Sequence, residues 1–226
     1  MRCGIFGKYP AKRDFVAYNL PRPFLSLWED WLQTSVAASR SQLGSAWQEA
    51  FLTAPLWRFW IGGGLCGATV AGVMMPSVDG IGRYFPLTIC ACAPEGKIIE
   101  PPMLDPLEEW YGAAEAALLR VLEDGFAGEA AELADGLAFP VLNDMPERHE
   151  MKGSRVWQSR LPGGEFEAEF RRVVTAELLG LYDMRSVWWT AGGAARSAEF
   201  VAYHQLPDPF AYAEFLTGVS HGGEMP

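Results

Sequence analysis

The sequence predicts an α+β fold: one domain over residues 1–218, with a mainly antiparallel (mixed) sheet covered by helices, followed by a short tail at 219–226. Three observations carry that reading. Strand-like runs rich in Val, Ile, Phe and Trp follow one another across glycine- and proline-marked turns, as in antiparallel pairs. Segments with 3.6-residue apolar periodicity stand before, between and after these runs in a mixed order. Finally, the 226 residues are 50% hydrophobic, enough to bury a sizeable core.

Residues 3–8 form the first predicted strand, and Pro10, Pro21 and Pro23 frame an irregular arm containing Asp14, Phe15 and Val16. Phe24, Leu27, Trp28, Trp31, Leu32 and Val36 then recur at helical spacing with Glu29, Asp30 and Gln33 opposite them, which marks the first core helix. Gly44 interrupts it. Ser45 with Gln48 suggests a capping box for a second helix that carries Trp47 and Phe51 and ends before Pro55. Three strands follow at 57–61, 68–75 and 84–92, and Pro86 places the start of the third at an edge or bulge.

Asp105, Pro106 and Glu108 read as N-cap, first helical residue and capping glutamate of a helix. Its buried stripe is Leu107, Tyr111, Ala114, Leu118, Val121 and Leu122. Residues 129–137 suggest a short helix, and 139–164 a polar insertion or mobile loop. Phe166, Phe170, Val173, Val174, Leu178 and Leu181 predict a third substantial helix with that stripe buried. A hairpin of 186–190 and 199–204 turns at Gly192-Gly193, and Pro207-Asp208-Pro209 opens a last helix that Gly218 ends.

Charge and cysteine usage narrow the function classes. A net charge of -10 and a pI near 4.8 disfavour nucleic acid and anionic membranes as partners. The one basic cluster, Lys8, Lys12 and Arg13, reads as a solvated patch or a docking site for an acidic partner, partly neutralised by Asp14. Cys3, Cys66, Cys90 and Cys92 lack the spacing of a disulfide scaffold and fit a reducing cytoplasm. With His149, His204 and His221 they offer no zinc pattern, so no metal is expected. No signal peptide is visible. The uncharged stretch 59–78 has the length of a membrane span, but its five glycines indicate two buried strands instead.

Catalytic motifs match by letters and fail by context. Gly62-x-Gly64-x-x-Gly67 is followed by a strand, which leaves no helix N-terminus for a pyrophosphate. Gly4 to Lys8 has the wrong spacing for a phosphate loop, and Gly218-x-Ser220-x-Gly222 leaves no chain for a downstream acid and histidine. The segment 75–87 is the most informative in the chain: Pro76, Gly80, Gly82 and Pro86 shape it, while Asp79 and Arg83 can bridge its ends. Asp14, Asp79 and Arg83 would make a small-ligand or hydrolase-like site if the fold joins them; otherwise Asp79 caps its turn and Arg83 ties the loop down. Adjacent Trp188 and Trp189 cannot both face one side of a strand, so one packs inward while the other meets solvent or lies under a helix.

Blocks spread along the chain resemble the TagF family, also called ImpM. They are Gly4 to Lys8 with Asp14-Phe15-Val16, Trp28 to Leu32, Leu52 to Phe59, Gly72 to Thr88, Ser186 to Trp189 and Phe215 to Gly218. Arg13 stands where the family often has glycine, and 95–180 is poorly covered. The resemblance implies a cytoplasmic accessory protein of the bacterial type VI secretion system. It implies a post-translational repressor acting through that system's forkhead-associated scaffold protein, with no enzyme activity and no cofactor. Lys8, Asp14, Arg58, Asp79, Arg83, Trp188 and Trp189 then enter as candidate structural or interaction residues.

Overall fold

The computed structural model describes residues 1–123, 125–126, 128–145, 150–151, 154–155, 161, 163–193 and 196–218. Seven strands form one sheet: β1 (Gly4–Lys8), β2 (Phe15–Tyr18), β3 (Trp57–Ile61), β4 (Val70–Met75), β5 (Leu87–Cys92), and two later strands at Arg185–Thr190 and Glu199–His204. Lys97–Ile98 (β6) pairs with Asn143–Asp144 (β7), and Glu150–Met151 (β8) with Ser154–Arg155 (β9), outside the main sheet. The later strands are therefore β10 and β11, and the sheet order is β11-β10-β3-β4-β5-β1-β2 with every neighbouring pair antiparallel.

Helices cover both faces, so the central strands read as continuous apolar runs. On one face, α1 (Arg22–Leu43), α2 (Trp47–Thr53) and α7 (Tyr212–Thr217) enclose Phe24, Trp28, Trp31, Phe59, Trp188 and Phe215. On the other, α4 (Glu108–Arg120), α5 (Ala130–Asp135) and α6 (Phe166–Tyr182) enclose Trp60, Val73, Ile89, Tyr111, Leu133 and Leu179. Alternation along β10 sends Trp188 to the first layer, stacked on Trp28 at 5.8 Å, and half-buried Trp189 to the second, edge-on to Tyr111 at 4.8 Å. The second tryptophan combines the two alternatives: it packs against Tyr111 of α4 and keeps part of its surface exposed.

Several local expectations change. The arm 10–23 contains strand β2, because Phe15 packs on Phe6 and Phe85. Ser45 caps nothing: a single 3-10 turn, Gly44–Ala46, feeds α2 directly. The Gly62–Gly67 turn contains one helical turn, α3 (Gly63–Cys66), closed by Gly67 in the left-handed region. Pro86 lies just outside β5, a central strand, so the edge assignment does not hold. α4 begins at Glu108, since Asp105 instead accepts from Leu107 N–H and leaves Leu107 left-handed. Leu122 on its predicted stripe is exposed, as is Phe210 in the final turn.

The largest revision concerns α6. Its length is as predicted, but Phe166, Phe170, Val174 and Leu181 face outward, and Thr175, Ala176 and Leu179 make the buried contacts. Part of the predicted loop 139–164 is described as β7, β8 and β9; the rest of it, the tail 219–226, His149 and the Ser220 motif lie outside the described residues.

Candidate functional site

The loop between β4 and β5 folds over the end of β1. Gly7, at φ 133°, pairs with Leu87, and a side chain there would strike the Pro86 carbonyl at 2.0 Å; only glycine lets the loop approach this closely. Ser77 Oγ donates to the Lys8 carbonyl at 2.7 Å, and Gly80 N–H donates to the Lys12 carbonyl at 3.0 Å. A bridge between Val78 and Tyr84 closes the loop on itself.

Asp79 sits at the centre with its side chain wholly buried. Its Oδ1 accepts from the N–H groups of Ile81 at 3.1 Å and Arg83 at 2.9 Å. Its Oδ2 meets Arg83 Nε at 2.8 Å and Lys8 Nζ at 3.0 Å. A carboxylate has about four lone-pair sites, and all are occupied here. Burial alone would raise the Asp79 pKa, but the donors on Arg83, Lys8 and Ile81 outweigh it and hold the group well below the usual carboxylate range.

Lys8 is itself buried, with its ammonium 4.1 Å from the centre of the Phe15 ring. The basic cluster is therefore not one patch: Lys8 is sealed inside, whereas Lys12, paired with Glu129, and Arg13, whose carbonyl accepts from Arg83, stay at the surface. Arg83 also reaches Asp14 at 3.8 Å, while the Asp14 side chain is almost fully exposed.

The fold thus brings Lys8, Asp14, Asp79 and Arg83 together, but in an arrangement that holds a loop. An acid whose lone pairs are filled and whose charged form is stabilised cannot readily accept a proton from a substrate. Neither of two surface cavities, of about 430 and 520 Å³, is lined by any of these four residues. Among the described residues no group of three or more His, Cys, Asp and Glu is arranged to hold a metal ion.

The other candidates lie elsewhere. Arg58 grips both oxygens of Glu115 at 2.7 and 3.0 Å and Glu108 at 2.7 Å, clamping α4 onto β3. The Glu115 hydrogen bonds raise its pKa against the opposing effect of burial. Trp188 is a core residue, and Trp189 lines the smaller cavity beside Pro102, Met103, Pro106 and Phe200. Sequence reasoning did not find that hollow; its signal was Phe200 in the last strand of a hairpin, which gains meaning only if that strand ends the sheet.

Comparison with known proteins shows what the chain is similar to. The TagF N-terminal domain family, described as type VI secretion system-associated, matches residues 4–135. Among solved structures, the crystal structure of PA0076 from Pseudomonas aeruginosa PAO1 is 33% identical, with a TM-score of 0.79 over 99% of this chain and 97% of that one. No curated protein matches. Among the described residues no helix is long and apolar enough to cross a membrane.

Proposed function

The chain belongs to the TagF family of type VI secretion system-associated proteins, and from that premise we propose that it works by binding rather than by catalysis. It is a post-translational negative regulator that engages a cytoplasmic scaffold component, the forkhead-associated protein of the system, and holds assembly off. The observation that carries the non-enzymatic part is the saturation of Asp79: the strongest catalytic candidate is consumed in fixing a loop. The competing reading, a ligand sensor or hydrolase around Asp14, Asp79 and Arg83, would need that carboxylate free.

The test is affinity capture with the tagged full chain in cells running an active secretion system, alongside deletion of its gene. The scaffold protein should be recovered, and deletion should raise secretion. Recovery of no system component together with unchanged secretion refutes the reading.

A further inference from the structure

The two edges of the sheet are not alike. β2 is four residues long, enters from the charged pair Arg13-Asp14 and leaves through left-handed Asn19; Tyr18 is held by Asp135 and α5 packs against it. Shortness, charge and cover are the usual ways of closing an edge. β11 is longer and, among the described residues, uncovered by a helix. It runs for six residues without proline or lysine, its one acidic residue, Glu199, is paired with Arg196, and Phe200, 60% exposed, stands on it.

The polar groups of that edge can be assigned. The Arg185 carbonyl accepts from Gly62 N–H, so odd-numbered residues of β10 face β3 and Ser186, Trp188 and Thr190 face β11. Their partners Tyr203, Val201 and Glu199 therefore point inward, in agreement with Gln205 N–H donating to Met184. Phe200, Ala202 and His204 point outward, and each presents an N–H and a C=O to which no strand among the described residues is paired.

A hollow of about 430 Å³ adjoins this edge on the α4 side, walled by Pro102, Met103, Pro106, Trp189 and Phe200. Its rim is acidic. Glu108, two-thirds exposed, shares the cation Arg58 with Glu115, which leaves a net negative charge.

We propose that the outer edge of β11 and this hollow form a docking site for an extended segment of a partner protein. The segment adds to the sheet as a further antiparallel or parallel strand, seats an apolar side chain against Phe200, and brings a Lys or Arg to Glu108. The protein element that can replace water along the whole of an unpaired strand edge is another extended backbone, while the hollow and its acidic rim set the side-chain preference. A second copy of this chain fits less well, because each copy carries a charge of -10. The inference deepens the regulatory reading by naming the surface and the chemistry of the segment it takes.

The probe is a random dodecapeptide library displayed against the purified full chain. Selected peptides should pair an apolar residue with Lys or Arg two positions away, the spacing that keeps both on one face of a strand. On binding, the amides of Phe200, Ala202 and His204 should become protected from hydrogen exchange, whereas those of Val201 and Tyr203 are protected beforehand. Ala202→Pro, which removes an outward donor and leaves the β10 ladder intact, should weaken binding roughly tenfold or more, as should Phe200→Glu at an exposed position. Unchanged melting of Phe200→Glu controls for folding.

A selection without binders, peptides that bind both variants as well as wild type, or protection elsewhere would overturn the proposal. So would a concentration-dependent dimer that Ala202→Pro abolishes, since the occupant would then be a second copy. If wild type and Ala202→Pro capture the scaffold protein equally, this surface is wrong and the regulatory reading stands. If wild type captures no system component yet peptides bind at β11, the reverse holds.

Discussion

A methyl group added at position 72 has nowhere to go, and Gly72→Ala measures how rigid the aromatic layer is. Gly72 faces Phe59 across the β3–β4 ladder, and a Cβ there would lie 2.2 Å from Cζ and 2.7 and 2.8 Å from the Cε atoms. Carbon contacts settle near 3.5 Å, so the ring would have to retreat by roughly 1.3 Å. It cannot do so freely: Trp28 is stacked on it at 4.4 Å and Trp188 lies at 5.2 Å, all of them fully buried.

Overpacking of this kind costs about 1–3 kcal/mol, and the immobile ring puts it near about 3. Replacing glycine in a strand returns roughly 0.5–1 kcal/mol of backbone entropy. The net loss is about 2 kcal/mol, which for a chain of this size lowers the melting temperature by about 4–8 °C. The assay is thermal and denaturant unfolding of Gly72→Ala, Phe59→Leu and the double variant. Because Phe59→Leu removes the atoms that the methyl would strike, the double variant should be at least about 1 kcal/mol more stable than the sum of the singles. A Gly72→Ala melt within about 1 °C of wild type, or additivity within about 0.5 kcal/mol, refutes the reasoning.

Asp79 should leave a signature in acid. Its folded pKa lies below the unfolded value, so its contribution is complete above the ordinary carboxylate range near about pH 4 and is lost as pH falls towards and through the depressed value. Asp79→Asn should therefore show a flatter stability profile than wild type below about pH 4 in denaturant titrations, and parallel profiles would contradict the buried pairing. Burial pushes the Cys3 thiol up to about 12 and the Cys66 thiol to about 11. Iodoacetamide at about pH 8 should leave both unmodified by mass spectrometry until the chain unfolds, because only the thiolate reacts. On α6, Phe170→Gln should change stability by no more than about 0.5 kcal/mol, whereas Leu179→Ala should cost about 2–5 kcal/mol; the opposite order would restore the predicted stripe.

Local chemistry was legible wherever one short segment decides. The glycine and proline positions of 75–87, the Gly192 turn, the helix ends at Gly44 and Gly218, and the apolar run 57–61 all appear where the residues place them, while the third strand, expected over 84–92, begins only at Leu87. Asp79 binding Arg83 within its own turn belongs here as well, since both partners lie four residues apart.

What depended on remote partners was not. Lys8 looks like a surface charge until Asp79 and Phe15, from two other elements, enclose it. α6 shows its apolar stripe in the sequence, yet periodicity fixes only which residues share a face, and the helix turned Thr175, Ala176 and Leu179 to the sheet. The hairpin β10–β11 was readable as a hairpin; that β10 pairs with β3, leaving β11 at the rim with Phe200 exposed, follows from strand order across more than a hundred residues of chain. The sequence by itself determined the main turns, the long helices and central strands, and the family. Tertiary structure alone decided which charges were buried, which helix face was covered and which strand stayed open, because burial and pairing are properties of distant segments meeting and no local pattern encodes the meeting.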